Sequence, residues 1–470
     1  MTKPSRYRLR YHLMPPVGWM NDPNGLSYFK GKYHAFYQHY PYDAKWGPMH
    51  WGHAVSADLI AWEAVPIALT PGETYDRGGC FSGSAVASDD KLYLYYTGHV
   101  DDAHPKEVQC LATSEDGIHF EKYAQNPVIA GPPADGSEDF RDPKVWRHQG
   151  LWYMVVGSGK NGRGKVLFYQ SEDGVTWSYR GVLLQADSPN EGEIWECPDV
   201  FHLDGKDVLI VSSIVKTGQV VLYYVGQMDY ATGRFVPETA GRRLDEGSHF
   251  YAPQTFVNAE GKRVLIGWMD LWGVQMPSQQ EGWAGAMTVP RVLQLASDGH
   301  TLCARPIEAL AQYGDDPSLW TAHDALPIET WLALRNQQHD LKSYTLDLTC
   351  KQKAVSSATE VILSVCASEA AGEETTVGID LTEGVVWTDT RRSSVEVEGK
   401  RVVAAIPGWQ REDEVQLQIL VDVSSIEVFV NQGALTFSHR IYPGENSRAI
   451  AVHGADAIVK MAFAGISARE

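Results

Sequence analysis

GKYHAFYQHY, residues 31–40, joins a Gly-Lys turn to an aromatic strand, and the same phrase returns four times. It comes back as DKLYLYYTGH from Asp90, GLWYMVVGSG from Gly150, GKDVLIVSSI from Gly205 and GKRVLIGWMD from Gly261, at spacings of 59, 60, 55 and 56 residues. Strands with polar turns at a fixed period of this size predict propeller blades, and five repeats predict five blades. A second echo keeps the same phase. SADLIAWEAVPIAL from Ser56, SEDGIHFEKYAQNPVI from Ser114 and SEDGVTWSYRGVLL from Ser171 each read as a Ser-acid turn followed by an outer strand. The competing reading is a meander of unrelated hairpins, which gives no reason for two echoes in one phase.

Beyond about Leu310 the texture changes. LAQYGDDPSLWTAHDALPIETW is mixed and has room for a short helix or a linker. From Tyr344 alternation dominates, in YTLDLTC, EVILSVCA, TTVGIDL and VQLQILVDVSSIEVFVNQGALTF, with Asn431-Gln432-Gly433 as a turn between two strands. The expectation is an all-β chain: a five-bladed β-propeller over residues 1–315, a linker over 316–336 and a C-terminal β-sandwich over 337–470. Polar motifs cluster in the propeller. The sandwich, including acids such as Asp422 and Glu427, is expected to support the fold without supplying a catalytic side chain.

Composition removes several function classes. The 470 residues hold 40 Lys and Arg against 59 Asp and Glu, a formal net charge of −19. A chain this acidic is a poor partner for a phosphate backbone or an anionic membrane surface, and no apolar run approaches the length of a span. The start, MTKPSRYRLRYHLMPP, has no apolar h-region and no small-residue cleavage site. Cys80, Cys110, Cys197, Cys303, Cys350 and Cys366 form no C-x-x-C pair. Reduced thiols and a cytoplasmic location are therefore expected. The 15 Trp suit either core packing or stacking on sugar rings.

A polar motif precedes each repeated strand. These are WMNDPNG (Trp19–Gly25), CFSGS (Cys80–Ser84), FRDP (Phe140–Pro143), WECPD (Trp195–Asp199) and FYAPQ (Phe250–Gln254). Asp22, Ser82, Asp142, Glu196 and Ala252 then lie 60, 60, 54 and 56 residues apart. Equivalent positions of successive blades ring one axis, so these residues are expected to converge on one pocket. Three of the five are carboxylates, and like charges at close range raise one another's pKa. A carboxyl pair is what glycoside hydrolysis needs, one to attack or stabilise the anomeric centre and one to protonate the leaving oxygen. Each acid alone could instead cap a turn, Asp22 in N-D-P-N-G above all.

Other chemistries are weaker. No metal is expected, because no Asp-rich loop has EF-hand spacing and His50 and His53 lack an H-E-x-x-H context. That pair reads as core or surface histidines. No G-x-S-x-G elbow or P-loop is present. Cys197 follows Glu196 and by strand alternation should face the other way, as packing.

WMNDPNG, FSGS, FRDP and WECPD, in this order and spacing, resemble glycoside hydrolase family 32, the family of invertases, sucrose-6-phosphate hydrolases and fructanases. The resemblance spans essentially the whole chain and implies the same propeller and sandwich. It implies that Asp22 is the nucleophile of a retaining β-fructofuranosidase, Glu196 the general acid/base and Asp142 the carboxylate that binds fructose hydroxyls. Arg141 would orient that group. Asn21, Gln38, Trp46, Phe81, Ser82 and Trp268 match substrate-contacting positions, with Trp46 and Trp268 as an apolar wall. No cofactor is implied, the partner is a small sugar, and the oligomeric state is left open. A fructosyltransferase and a fructo-oligosaccharide or fructan hydrolase share these residues, whereas a non-catalytic sugar-binding propeller would tolerate loss of an acid and here all three are present. Phosphosucrose recognition would need a cation near the leaving glucose, for which Lys45, Arg77, Lys160 and Arg163 are candidates. The run KWGPMHWGHA resembles the sucrose-cleaving members, so sucrose is expected to be the better substrate.

Overall fold

Four of the five repeats are built on the same hairpin turn. Lys30-Gly31, Asp89-Asp90, Gln149-Gly150 and Asp204-Gly205 all take positive φ at both positions, the backbone of the tight turn whose twist matches its flanking strands. A computed structural model describes residues 5–215, 218–352, 359–394, 397–411 and 413–466. These hairpins join the first and second strands of four antiparallel sheets, and a longer loop does so in the fifth. The Ser-acid turns recur as well. The Oγ of Ser56, Ser114 and Ser171 accepts from the backbone N–H three residues on, at 2.8, 2.8 and 2.9 Å. Asp58, Asp116 and Asp173 cap the next two amides.

The innermost strands are Gly18–Phe29 (blade I), Gly79–Ser88 (blade II), Phe140–His148 (blade III), Trp195–Leu203 (blade IV) and Tyr251–Val257 (blade V). They touch one another in cyclic order and close a ring. Trp283–Ala284 runs parallel to Gly18 and Trp19, so chain from the fifth blade completes the first. His50 and His53 are buried; His53 stacks on Phe36 and lies 3.0 Å from His34, a core arrangement.

The sandwich has a six-stranded and a five-stranded sheet, and Asn431 and Gln432 do turn between two strands with positive φ. The expected linker is corrected. Ser318–Thr321 pairs with Ile458–Gly465 at the edge of the six-stranded sheet, and a helix follows at Ile328–Gln338. Trp320, Ile328, Trp331 and Leu332 are buried in the sandwich core. The i, i+3, i+4 spacing of the last three places them on one helix face, so the segment belongs to the sandwich.

A buried ionic clasp joins the two domains. The Arg291 guanidinium of blade V pairs with Asp245 at 2.9 Å and with Glu427 of the sandwich at 2.5 Å, between the Phe250 and Phe429 rings. His12 bridges Asp422 and Glu427 at 2.8 and 2.9 Å. No described helix is long and apolar enough to cross a membrane.

Candidate active site

All five innermost strands break their register at the motif. In blade III, Arg141 pairs with Gly157 and Lys144 with Val155, so Asp142 and Pro143 together face one residue. Cys197-Pro198 in blade IV and Ala252-Pro253 in blade V do the same, as do Asn21 and Asp22 in blade I, while Ser82 is the added residue in blade II. Asp142, Cys197 and Ala252 have φ of 63°, 47° and 48°. A bulge re-aims the side chain it carries, and here it does so five times around one axis.

This register corrects two expectations. The residue matching Asp22, Ser82 and Asp142 in blade IV is Cys197; Glu196 matches the residue before, alongside Asn21, Phe81, Arg141 and Tyr251. Strand alternation, which would send Cys197 away, fails at a bulge. Its Sγ lies 3.5 Å from Asp22 and 3.6 Å from Asp142, on the floor of the site.

Two hydrogen-bonded groups result. Ser82 Oγ donates to Asp22 at 2.6 Å and Asn21 Nδ2 at 3.0 Å, with Asn21 fixed by the Trp19 indole at 2.7 Å. Asp142 accepts from the Cys197 backbone N–H at 3.1 Å. Burial raises the Asp22 pKa and outweighs the Ser82 and Asn21 donors, with Glu196 adding to the rise. Burial also pushes Asp142 well above the carboxylate range; Arg141 opposes this, while Glu196 and Asp22 reinforce it. Burial and the two aspartates push the Cys197 thiol up, which leaves it a poor nucleophile.

The second group holds Glu196. Arg141 Nε and Nη2 donate to Oε1 at 3.2 and 3.0 Å, and Tyr251 Oη donates to Oε2 at 2.5 Å. Arg141 is itself anchored by buried Glu107 at 3.1 Å and by Asp139 at 3.0 Å. Glu107 also accepts from the Phe140 N–H at 2.6 Å. Burial would raise the Glu107 pKa, but His99 and Arg141 outweigh it and hold it down.

The carboxyls open on a cavity of about 430 Å³. Asn21, Asp22, Gln38, Trp46, Phe81, Ser82, Arg141, Asp142 and Glu196 all line it, as does Trp272. Trp268 does not. It is fully buried, 5.0 Å from the Trp272 ring and 6.1 Å from Trp19, and so backs the wall from behind. His99, Asp101, Lys106, Glu107 and Asp139 complete the lining and carry no motif. Tyr251 had a signal, since FYAPQ sits in phase, but it is the residue before the one the spacing marks. Lys45, Arg77, Lys160 and Arg163 are exposed and outside the lining, and Arg77 pairs with Asp102.

Among the described residues only Asp22, Asp142 and Cys197 bring metal-ligating atoms within 4.8 Å of one another.

A propeller whose axis gathers an activated carboxylate floor and a separately held carboxyl, facing a sugar-sized cavity, defines a glycoside hydrolase. The chain matches the family model "Glycosyl hydrolases family 32 N-terminal domain" over residues 12–306 and "Glycosyl hydrolases family 32 C terminal" over 324–467. It is 38% identical to a sucrose-6-phosphate hydrolase of Escherichia coli, over 95% of this chain and 92% of the relative. It is 36% identical to the raffinose invertase of Escherichia coli, over 96% and 93%. The solved Bombyx mori GH32 beta-fructofuranosidase BmSUC1 superposes with a TM-score of 0.82 at 35% identity, over 98% of this chain and 94% of that one. The protein belongs to glycoside hydrolase family 32.

Proposed function

We propose that the protein is a retaining β-fructofuranosidase that hydrolyses terminal β-fructofuranosyl residues, with sucrose as its main substrate. The observation that carries this reading is the separation of the carboxyls into two hydrogen-bonded groups on one cavity. Asp22, aimed by Ser82 and Asn21, attacks the anomeric carbon of the fructosyl unit as Glu196 gives its proton to the glycosidic oxygen, and glucose leaves. Glu196 then takes a proton from water, which attacks the anomeric carbon and frees fructose from Asp22. Asp142 hydrogen-bonds fructose hydroxyls beside Asp22. Arg141 holds Glu196 in place while Glu107 and Asp139 hold Arg141.

The relatives are named for sucrose 6-phosphate, raffinose and β-fructofuranoside chemistry, which supports the reaction class. The lining cations are already engaged: Arg141 pairs with Glu107, Lys106 with Asp139 and His99 with Asp101. Among the described residues of the lining, a phosphate dianion would find no cation without a carboxylate partner, which favours the neutral disaccharide. The six cysteines are free, buried thiols, which suits the reducing cytoplasm.

The test is kcat/KM for sucrose and sucrose 6-phosphate in the parent and in Asp22→Asn. Sucrose should be preferred, and folded Asp22→Asn should lose several orders of magnitude in kcat. Parent-like turnover of that variant overturns the nucleophile assignment. A tenfold or greater preference for sucrose 6-phosphate overturns the substrate assignment.

A further inference from the structure

Outside the two carboxyl groups, the cavity has a polar wall that the reaction does not bring to the sugar. Its parts come from segment 100–106 after the second strand of blade II and from segment 135–139 before blade III. The first is closed on itself by the Val100 N–H donating to Lys106 O at 2.9 Å. A salt bridge and a hydrogen bond link it to the second: Lys106 to Asp139 at 3.2 Å and His104 to Glu138 at 2.8 Å.

Each polar group on this wall is fixed at one atom and open at another. Asp101 Oδ1 accepts from His99 Nε2 at 2.9 Å, and His99 in turn stacks flat on Phe81 with ring centres 4.0 Å apart. Asp139 Oδ1 accepts from both Lys106 Nζ and Arg141 Nη1, at 3.2 and 3.0 Å. Among the described residues, neither Asp101 Oδ2 nor Asp139 Oδ2 accepts a hydrogen bond, and Lys106 Nζ keeps protons to donate. Open acceptors and a donor suit the hydroxyls of a sugar, and Asp139, held by Lys106 and Arg141, is already ordered for binding.

Position says which sugar. Glu196 must sit against the bond that breaks. Arg141 donates to Glu196 with one edge of its guanidinium and to Asp139 with the other terminal nitrogen. Asp139, with Lys106 bonded to it, therefore lies across Arg141 from both Glu196 and Asp142, and both are more exposed than those carboxyls, on the outer side of the acid/base. We propose that Asp101, Lys106 and Asp139 recognise the leaving unit, an uncharged hexosyl group, through its hydroxyls. The inference rests on the fructosidase reading and assigns its leaving-group specificity.

Asp101→Asn and Lys106→Met are exposed or half-buried changes outside the blade cores, and they are compared with the parent on two substrates. Sucrose presents a hydroxylated leaving group; p-nitrophenyl β-D-fructofuranoside presents none. In each variant the ratio of kcat/KM for sucrose to that for the aryl fructoside should fall tenfold or more. The inhibition constant of glucose against the aryl substrate should rise by a similar factor. A ratio within twofold of the parent, with glucose inhibition unchanged, overturns the wall while leaving the fructosidase reading standing. A parent that cleaves neither substrate overturns the fructosidase reading and this inference with it.

Discussion

Replacing Glu427 by Gln removes one charge from the clasp between the domains and changes almost nothing in its shape. Glu427 is fully buried. It accepts from Arg291 at 2.5 Å, from His12 at 2.9 Å and from the Val289 N–H at 3.0 Å. The variant leaves Arg291 with Asp245 and His12 with Asp422 as their remaining carboxylates. Removing one partner of a buried ionic network costs about 3–5 kcal/mol. Unfolding entropy of about 2.1 cal/mol/K per residue over 470 residues comes to roughly 1 kcal/mol/K, so Tm should drop by about 3–5 °C. The pH dependence has a definite sign. Burial opposes protonation of His12, but hydrogen bonds to Asp422 and Glu427 outweigh it and raise the pKa above the ordinary 6.5. That stabilisation is complete below 6.5 and is lost as pH rises through the raised value. Burial opposes ionisation of Asp422 and Glu427, yet His12 and, for Glu427, Arg291 hold both below their ordinary 3.8 and 4.5. Their contribution is present above those values and is lost as pH falls through the lowered ones. The clasp is therefore strongest from 4.5 to 6.5, and the Tm gap between parent and variant should narrow above that window. Thermal melts across pH, with kcat at saturating sucrose, make the assay. Among the described residues the sandwich contributes nothing to the cavity lining, so kcat should hold. A Tm within about 1 °C of the parent at pH 5–6, or a loss of kcat without a loss of Tm, refutes the reasoning.

Three further outcomes follow from the site. The acid limb of the kcat/KM profile should lie above the ordinary aspartate 3.8, because burial raises Asp22. Ser82→Ala should move it higher, since a donor to the charged form is lost; an unmoved limb in a pH-rate titration counts against Asp22. Tyr251→Phe removes a hydrogen bond to Glu196, worth about 1.5–3 kcal/mol if charge-assisted, so kcat should fall by roughly 10- to 100-fold with KM little changed. Steady-state kinetics within twofold of the parent would show that the phenol does no positioning. Trp268→Ala should cost about 3–5 kcal/mol of stability and spare KM, whereas Trp272→Ala should raise KM and spare Tm. The opposite pattern would return Trp268 to the substrate wall.

Local chemistry was legible from the amino-acid sequence because its cause is local. A two-residue turn with positive φ at both positions favours Gly and Asp, as at Gly31, Asp89-Asp90, Gly150 and Asp204-Gly205, and a Ser-x-Asp turn closes its own hydrogen bonds within four residues. Repetition of those turns at one period gave the blade count, and the motif phase brought Asp22 and Asp142 together but ran one residue off in blade IV, where Glu196 precedes the matching Cys197. The strand period of two then misassigned Cys197, because a bulge before proline inverts the face locally, and a sequence shows the proline without showing the bulge. Segment 316–336 looked like a linker because its four-residue edge strand is too short to show a period. Its place was decided by Trp320 and Trp331 finding a core assembled from strands up to about 140 residues away. Contacts across the ring were beyond reach for the same reason. Tyr251 meets Glu196 from 55 positions away, Glu107 meets Arg141 from 34 and His12 meets Glu427 from 415. None of these pairs has a spacing, period or turn to announce it. They meet because closing five blades around one axis, and docking a sandwich on the fifth, brings charged side chains out of water, where each must find a partner.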